Sequence, residues 1–440
     1  MEFHSIRIDE HQASEIARDF YKLEGELIPL PGELDFNFRL NTPEADYVLK
    51  ISRPGIKRGF LEFQIELLNY LSGEKNHLTS PDVVRGTGNK QLLEFKDKNG
   101  EHRYVRMMTW IEGRLWSGTN PVRDGLLFSL GKEAGKITHA LQGFDHPLAH
   151  RAFQWDIAQS AWTTGHNQLF GKQKSELATY FQKGFLSHAD HYQTLRKAIV
   201  HNDVNDNNII VSNDLIHPEV KAIIDYGDAI HTQVINDLAV VIAYAIMHKP
   251  DLLSAACQVV EGYHGQFPLK PEELELLYFL VGMRLVISVT KSAINKQEEP
   301  ENEYLLISEQ AAWETLERWR ATDEQFAHFS FRKACGFHAH PETLRFKDWA
   351  DKQKLSLRDL FPSIQKTKYH LLDLGMESDF LGHETEFNDL PAFELKIAML
   401  REQHPDSIPA GGYLETRPLY VTDEYRKEGN NGHEYRTVHL

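Results

Sequence analysis

His201-Asn202-Asp203-Val204-Asn205-Asp206-Asn207-Asn208 is followed, fourteen residues later, by Ile223-Ile224-Asp225-Tyr226-Gly227-Asp228, and the pair constrains the architecture more than any other part of the sequence. The first segment has the form HxDxxxxN on a loop between a helix and a strand. The second is a buried-strand pattern that ends in a carboxylate at a Gly turn. Phosphoryl transfer asks a protein for a carboxylate to orient and deprotonate the acceptor hydroxyl, oxygen ligands for Mg²⁺, and a cation for the nucleotide phosphates. Asp203 fits the base, and Asn208, at the loop's end, a Mg²⁺ ligand. Asp225 fits the metal-bridging acid, because Mg²⁺ takes one or two carboxylates plus substrate phosphate and water. Alone, a run of Asn and Asp reads as a solvated turn, and an IDxGD turn proves little. Their order and strand-sized interval together point to one phosphoryl-transfer site. Asp228 is placed where it could touch a second metal or the substrate, and Asp237 reads as a cap of the helix that follows.

Upstream, Tyr47-Val48-Leu49-Lys50-Ile51 sets one lysine in an otherwise apolar strand, where a buried ammonium needs an anionic partner. Lys50 is expected to grip nucleotide phosphates and to be held by a carboxylate of the next helix, Glu62 in preference to Glu66. The plain alternative is an edge-strand lysine reaching solvent. The turn Pro31 to Asn37, with its single Gly32, would cover the phosphates. Met107 to Gly113 fits a hinge whose backbone meets the purine edge, with Met108 and Trp110 at the base; a plain strand end explains it nearly as well. Trp155 and Asp156 form an aromatic and acidic patch able to receive an ammonium group by cation–π and ion-pair contacts, with packing as the competing account. The 23 histidines contain no HExxH, which argues against zinc.

Around these motifs the chain divides by periodicity. Short apolar runs separated by turn formers give strands at 27–30, 36–40, 47–52, 92–95 and 103–110, and Phe60, Leu61, Ile65, Leu68 and Leu71 mark an amphipathic helix over 58–72. From Pro121 onward helical spacing dominates: 126–141, 177–198, 235–247, 271–294 and 304–319, broken by strand-like 208–211 and 220–225. The expectation is an α+β chain with a β-rich module over 1–112, a mainly helical module over 113–336, and a Pro-, His- and acid-rich extension over 337–440.

A formal net charge of −16 over 440 residues argues against a nucleic-acid partner, whose phosphates require excess Lys and Arg, and suits a cationic ligand or simple solubility. No stretch reads as a membrane span or an export signal. Two cysteines, Cys257 and Cys335, cannot make a disulfide framework and read as buried or idle thiols, in keeping with an expected cytoplasmic location.

With Lys50, Glu62-Phe63-Gln64, His201 to Asn208 and Asp225 to Asp228 in view, residues 1 to 335 resemble the aminoglycoside phosphotransferase and choline kinase superfamily, and within it the hydroxylysine kinases. The resemblance implies a two-lobed, protein-kinase-like fold, Mg²⁺, ATP or GTP as donor, and a hydroxylated amine or amino acid, hydroxylysine- or ethanolamine-like, as acceptor. Asn202 departs from it, standing where the family usually has Gly; Asn tolerates unusual backbone angles better than most residues. A catalytically weak nucleotide- or amine-binding module is the alternative. Residues 369–440, through Glu415 to Tyr420 and Arg436 to Leu440, resemble the connector of large fusions that add peptidase-like and class III aminotransferase-like modules. By that resemblance His439 would be a first metal ligand of a downstream module.

Overall fold

The computed structural model describes residues 8–32, 35–73, 78–298, 304–338, 341, 371–373 and 413–415. The chain forms two compact units, Met1–Ala327 and His328–Leu440. In the second, Leu371–Asp373 and Tyr413–Glu415 pair as antiparallel strands. The connector expected over 369–440 otherwise lies outside the described residues.

The first unit begins with helix α1 (Glu10–Ile16), started by a capping box in which Asp9 and Gln12 satisfy each other's backbone N–H. Strands β1 (Glu26–Leu30), β2 (Asp35–Asn41) and β3 (Asp46–Ser52) form an antiparallel meander. Helix α2 (Arg58–Gly73) follows, then β4 (Val83–Val84), β5 (Leu93–Lys96) and β6 (His102–Thr109). β6 lies beside β3 and also pairs β4 and β5, so a strand late in the sequence becomes the centre of a six-stranded sheet. Because side chains alternate along a strand, the sheet has two different faces. Phe38, Leu40, Leu49, Ile51, Val105 and Met107 point one way and form a core with Ile8, Ala13 and Ile16. Asn37, Lys50 and Arg106 stand on the other face as direct cross-strand neighbours. Leu61 and Ile65 of α2 pack with Val83, Leu92 and Tyr104.

The helical lobe opens with β7 (Arg114–Leu115) and α3 (Asp124–Leu141), continues through a 3₁₀ segment at Ile157–Leu169, and then runs into α4 (Lys172–Ser187) and α5 (Ala189–Thr194). Next come β8 (Lys197–Val200), β9 (Ile209–Val211), β10 (Val220–Ile223) and β11 (Ile230–Gln233). β7, β9 and β10 make one small sheet, and β8 with β11 a second. Helices α6 (Ile235–Ala245), α7 (Leu252–His264), α8 (Pro271–Leu274), α9 (Leu277–Glu298), α10 (Tyr304–Arg320) and α11 (Glu324–Ala334) complete the described elements. α6 is buried on almost every side, as an apolar helix without a polar face must be. α3 and α7 meet backbone to backbone: a Cβ at Gly131 would lie 2.0 Å from Val259 O, and one at Gly262 2.1 Å from Phe128 O. The fold is thus mixed, with a sheet-based N-lobe and a helical C-lobe.

The structure corrects the helical reading of 177–198. The helix breaks at His188, and 197–200 leaves it altogether to pair with 230–233. A short apolar run such as Ala198-Ile199-Val200 fits either period, and the distant partner strand decides it. The region 271–294 is two helices, and α7 was not anticipated. By length and composition Leu277–Gln297 could cross a membrane, but 78% of its apolar window is buried inside the protein.

Candidate active site

The loop after β8 is built from its own polar side chains. His201, wholly buried, receives the Asp203 N–H on Nδ1 (3.2 Å) and faces Ile224 O through Nε2 (3.1 Å), which requires a neutral ring with its proton on Nε2. Burial pushes its pKa down to about 4, which keeps it in that form. Asn202 adopts φ 66°, in the left-handed region where Asn is tolerated better than most residues. Its N–H donates to Asp237 Oδ1 (2.9 Å), while Thr138 donates to Asp237 Oδ2 (3.1 Å). Asp237 therefore ties the loop to α6 instead of capping that helix, which has no side-chain cap bond. Burial raises the Asp237 carboxyl to about 6, with the Asn202 N–H and Thr138 acting the other way.

Asp203 is held on both oxygens. Arg284 Nη2 donates to Oδ1 (3.1 Å); Asn205 Nδ2 (3.0 Å) and Asn208 Nδ2 (2.9 Å) donate to Oδ2. Burial raises its pKa to about 7, opposed by Arg284 and reinforced by the nearby carboxylates of Asp228 and Asp225. Asn208 also donates through Nδ2 to Asp203 O (2.8 Å), so its amide oxygen is the atom left for a metal. Asn208 O accepts the N–H of Ile224 (2.8 Å), which sets Asp225 beside the loop.

Asp225 itself takes φ 65° at the turn and accepts the Gly227 N–H on Oδ1 (3.2 Å). Its Oδ2 accepts from Lys50 Nζ at 2.9 Å, a contact that joins the sheet to the helical lobe. The Lys50 ammonium holds the Asp225 carboxyl far below the usual carboxylate range, with Arg106 adding to the effect. The Asp225 carboxylate and the Asn208 amide oxygen are donor types that Mg²⁺ takes alongside nucleotide phosphates, so these two residues could hold it. Among the described residues no three His, Cys, Asp or Glu cluster as a protein-only metal cage.

Other expectations are met differently. Lys50 is held by Asp225, whereas Glu62 accepts from Arg58 Nε one helical turn away (2.8 Å), and Glu66 stands 3.7 Å from His146. Arg58 is a nearer cation for Glu62, and an i,i+4 pair on the same helix forms without any tertiary requirement. At the hinge, Met108 is buried opposite Val48. The backbone N–H of Trp110 donates to Asp46 O (3.0 Å) and its ring lies under Arg39 (4.3 Å), so that backbone donor is already used within the protein. Trp155 carries a cation as anticipated in kind, but the cation is Arg284, 4.7 Å above the ring, whose Nη1 also donates to Trp155 O (3.1 Å). Asp156 is 2% exposed and accepts from Ala158 N, Gln159 and Thr232. It caps and ties the 3₁₀ segment, and its acidity is used inside the fold. Asp228 lies close enough to Asp203 and Arg284 to act on both electrostatically. Arg284, 1% exposed, went unrecognised in the sequence. The signal was there: it is the one charge in the run Leu277 to Thr290, the same anomaly that singled out Lys50.

Residues 26–274 match the model of the phosphotransferase enzyme family, APH. The chain belongs to this family. It is similar to hydroxylysine kinase of Mus musculus, 26% identical over 337 residues that span 70% of this chain and 88% of that one. The Xenopus laevis hydroxylysine kinase is 28% identical over 338 residues, 70% of this chain and 89% of the relative. Among solved structures, a microcompartment-associated aminopropanol kinase superposes with TM-score 0.56 at 17% identity, covering 74% of this chain and 99% of its own. Amicoumacin kinase in complex with AMP-PNP, Ca²⁺ and Ami gives TM-score 0.53 at 14% identity, covering 71% of this chain and 94% of its own. These two share the fold. As a member of the APH family the chain is a phosphotransferase with a hydroxyl acceptor.

Proposed function

We propose that the protein is a small-molecule kinase that transfers the γ-phosphoryl group of ATP or GTP to a hydroxyl of an amine-bearing acceptor, hydroxylysine- or ethanolamine-like. The observation that carries this reading is the Lys50–Asp225 pair joined, through Asn208, to Asp203. In this reading Asp203 accepts the hydroxyl proton, and its environment suits that role because a base works best when its pKa lies near the operating pH. Lys50 neutralises nucleotide phosphates. A Mg²⁺ held by the Asn208 amide oxygen and the Asp225 carboxylate would supply further neutralisation of those phosphates. Asp237 and His201 keep the loop's backbone in the conformation that presents Asp203. The hydroxylysine kinase relatives and the net charge of −16 support an ammonium-bearing acceptor. Trp155 and Asp156, engaged within the fold, are replaced in this role by Asp228.

The alternative is a catalytically weak nucleotide- or amine-binding module, whose sequence support is Asn202; the left-handed φ of 66° there is one that Asn tolerates better than most residues, which favours an intact loop. The downstream peptidase-like and aminotransferase-like modules rest only on the sequence resemblance of 369–440. The test is nucleoside diphosphate release from ATP or GTP with Mg²⁺ over a panel of hydroxylysine, ethanolamine, choline, homoserine and an aminoglycoside. Acceptor-dependent release with at least one amino alcohol is expected; silence with every acceptor contradicts the proposal.

A further inference from the structure

The cleft face of the N-terminal sheet carries a second cation beside Lys50. β2, β3 and β6 are registered so that Asn37, Lys50 and Arg106 form a cross-strand row. The Lys50 and Arg106 side chains are only 14% and 8% exposed. Like charges directly opposite one another in a sheet repel, and withdrawal from water strengthens that repulsion. Each cation is therefore given one carboxylate. Lys50 takes Asp225 at 2.9 Å, and Arg106 Nη2 takes Asp35, at the start of β2, at 2.8 Å.

That arrangement leaves hydrogen-bonding capacity unused. Arg106 Nη1, Asp35 Oδ1 and Asn37 Oδ1 are buried and have no hydrogen-bond partner. A buried group left unpaired is destabilising, so such groups call for an explanation. Pro31 and Gly32 are fitted closely to this row: Asn37 Nδ2 donates to Pro31 O (3.1 Å), and a Cβ at Gly32 would fall 2.2 Å from Asn37 Nδ2 and 2.7 Å from Asp35 O. Gly32 is thus required by the residues it packs against. Arg106 also acts on Asp225, the proposed metal-bridging carboxylate, so its charge reaches the same part of the cleft. A guanidinium presents its N–H groups as a planar fork that matches phosphate oxygens, and one arm of this fork is unoccupied.

We infer that Arg106 is a second phosphate-binding residue of the nucleotide site, adjacent to Lys50, and that Asp35 is the internal counter-ion which the phosphates replace. This rests on the nucleotide-kinase reading above. The Asp35–Arg106 pair then serves a definite purpose: it holds the guanidinium on the cleft face before any phosphate arrives. Asp35 competes with phosphate for Arg106, whereas a purely structural pair would help only to hold the sheet together.

The two roles are separated by measuring binding of the nucleoside triphosphate with Mg²⁺, and of the parent nucleoside alone, to wild type, Arg106→Met, Arg106→Lys and Asp35→Asn, with thermal melts alongside. Arg106→Met is expected to weaken triphosphate binding about 10- to 100-fold, the range of a lost charge-assisted hydrogen bond. Nucleoside binding is expected to stay within about twofold. Arg106→Lys keeps the charge without the fork and should fall between wild type and Met. Asp35→Asn should bind the triphosphate at least as tightly as wild type while melting lower. If Arg106→Met does not fold, the Lys and Asn variants carry the same contrast. Equal losses for nucleoside and triphosphate, or an Asp35→Asn loss as large as that of Arg106→Met or Arg106→Lys, would overturn the inference. Wild-type binding that the Arg106 variants leave unchanged overturns it alone; wild type with no nucleotide affinity overturns the kinase reading and this inference together.

Discussion

Asp203 sits between a guanidinium on one oxygen and two amides on the other, and its chemistry follows from that balance. Burial raises its pKa to about 7 while Arg284 pulls it down. As the base must be ionised to act, kcat/KM should rise as pH increases through about 7. Arg284→Met removes the charge that favours ionisation, so the acid limb should move to higher pH, and Arg284→Lys should restore part of the shift. A pH–rate profile with an unmoved limb in Arg284→Met would show that the guanidinium serves packing alone. Asp237 gives a second pH effect. Its folded pKa of about 6 is above the ordinary carboxylate value, so the folded state binds the proton more tightly. The stability it contributes is complete below about 4 and is lost as pH rises through about 6. Asp237→Asn does not titrate, so its unfolding free energy relative to wild type should increase between pH 4 and 7 in denaturant titrations. Asp203 and Asn208 could be read together because they lie five positions apart and bond to each other, and Asp225 because it ends an apolar strand at a Gly turn, although its partner Lys50 is 175 positions away. Arg284, with its partner 81 positions away and no such turn beside it, was missed. Trp155 and Asp156 misled because an acidic and aromatic pair looks the same whether it faces a ligand or its own protein.

At the scale of elements, alternation made the strands readable. β2, β3 and β6 each carry one apolar and one polar face, and the polar face proved to be the one with Lys50 and Arg106. The order of strands was not readable, because β6 beside β3 is a long-range pairing that no local pattern announces. β8 failed as a prediction for a related reason: four residues cannot show a period, and β11 decides their conformation. The α3–α7 contact gives a prediction at this scale. Gly262→Ala places a Cβ 2.1 Å from the Phe128 carbonyl oxygen, a backbone atom that cannot rotate away. Such overpacking costs roughly 1–3 kcal/mol or more, and calorimetry should show a lower Tm with nucleotide affinity little changed in the folded protein. An unchanged Tm would mean that the helices separate without cost.

For the whole molecule, the Lys50–Asp225 pair spans 175 positions of sequence and joins the sheet lobe to the helical lobe. Nucleotide bound to the folded chain alone should stabilise it by about 2.7 kcal/mol at a hundredfold excess over Kd. Part of that gain should require Mg²⁺, and Asp225→Asn should remove the Mg²⁺-dependent part. In the proposed reaction Asp203 acts on the acceptor, and the nucleotide is held by Lys50 and Asp225. The most direct measurement is phosphoryl transfer to a responsive acceptor by Asp203→Ala, with nucleotide affinity determined on the same sample. Affinity within about twofold of wild type with transfer reduced at least 10²-fold, as expected for loss of a general base, is the predicted result; wild-type turnover by this variant would contradict the account.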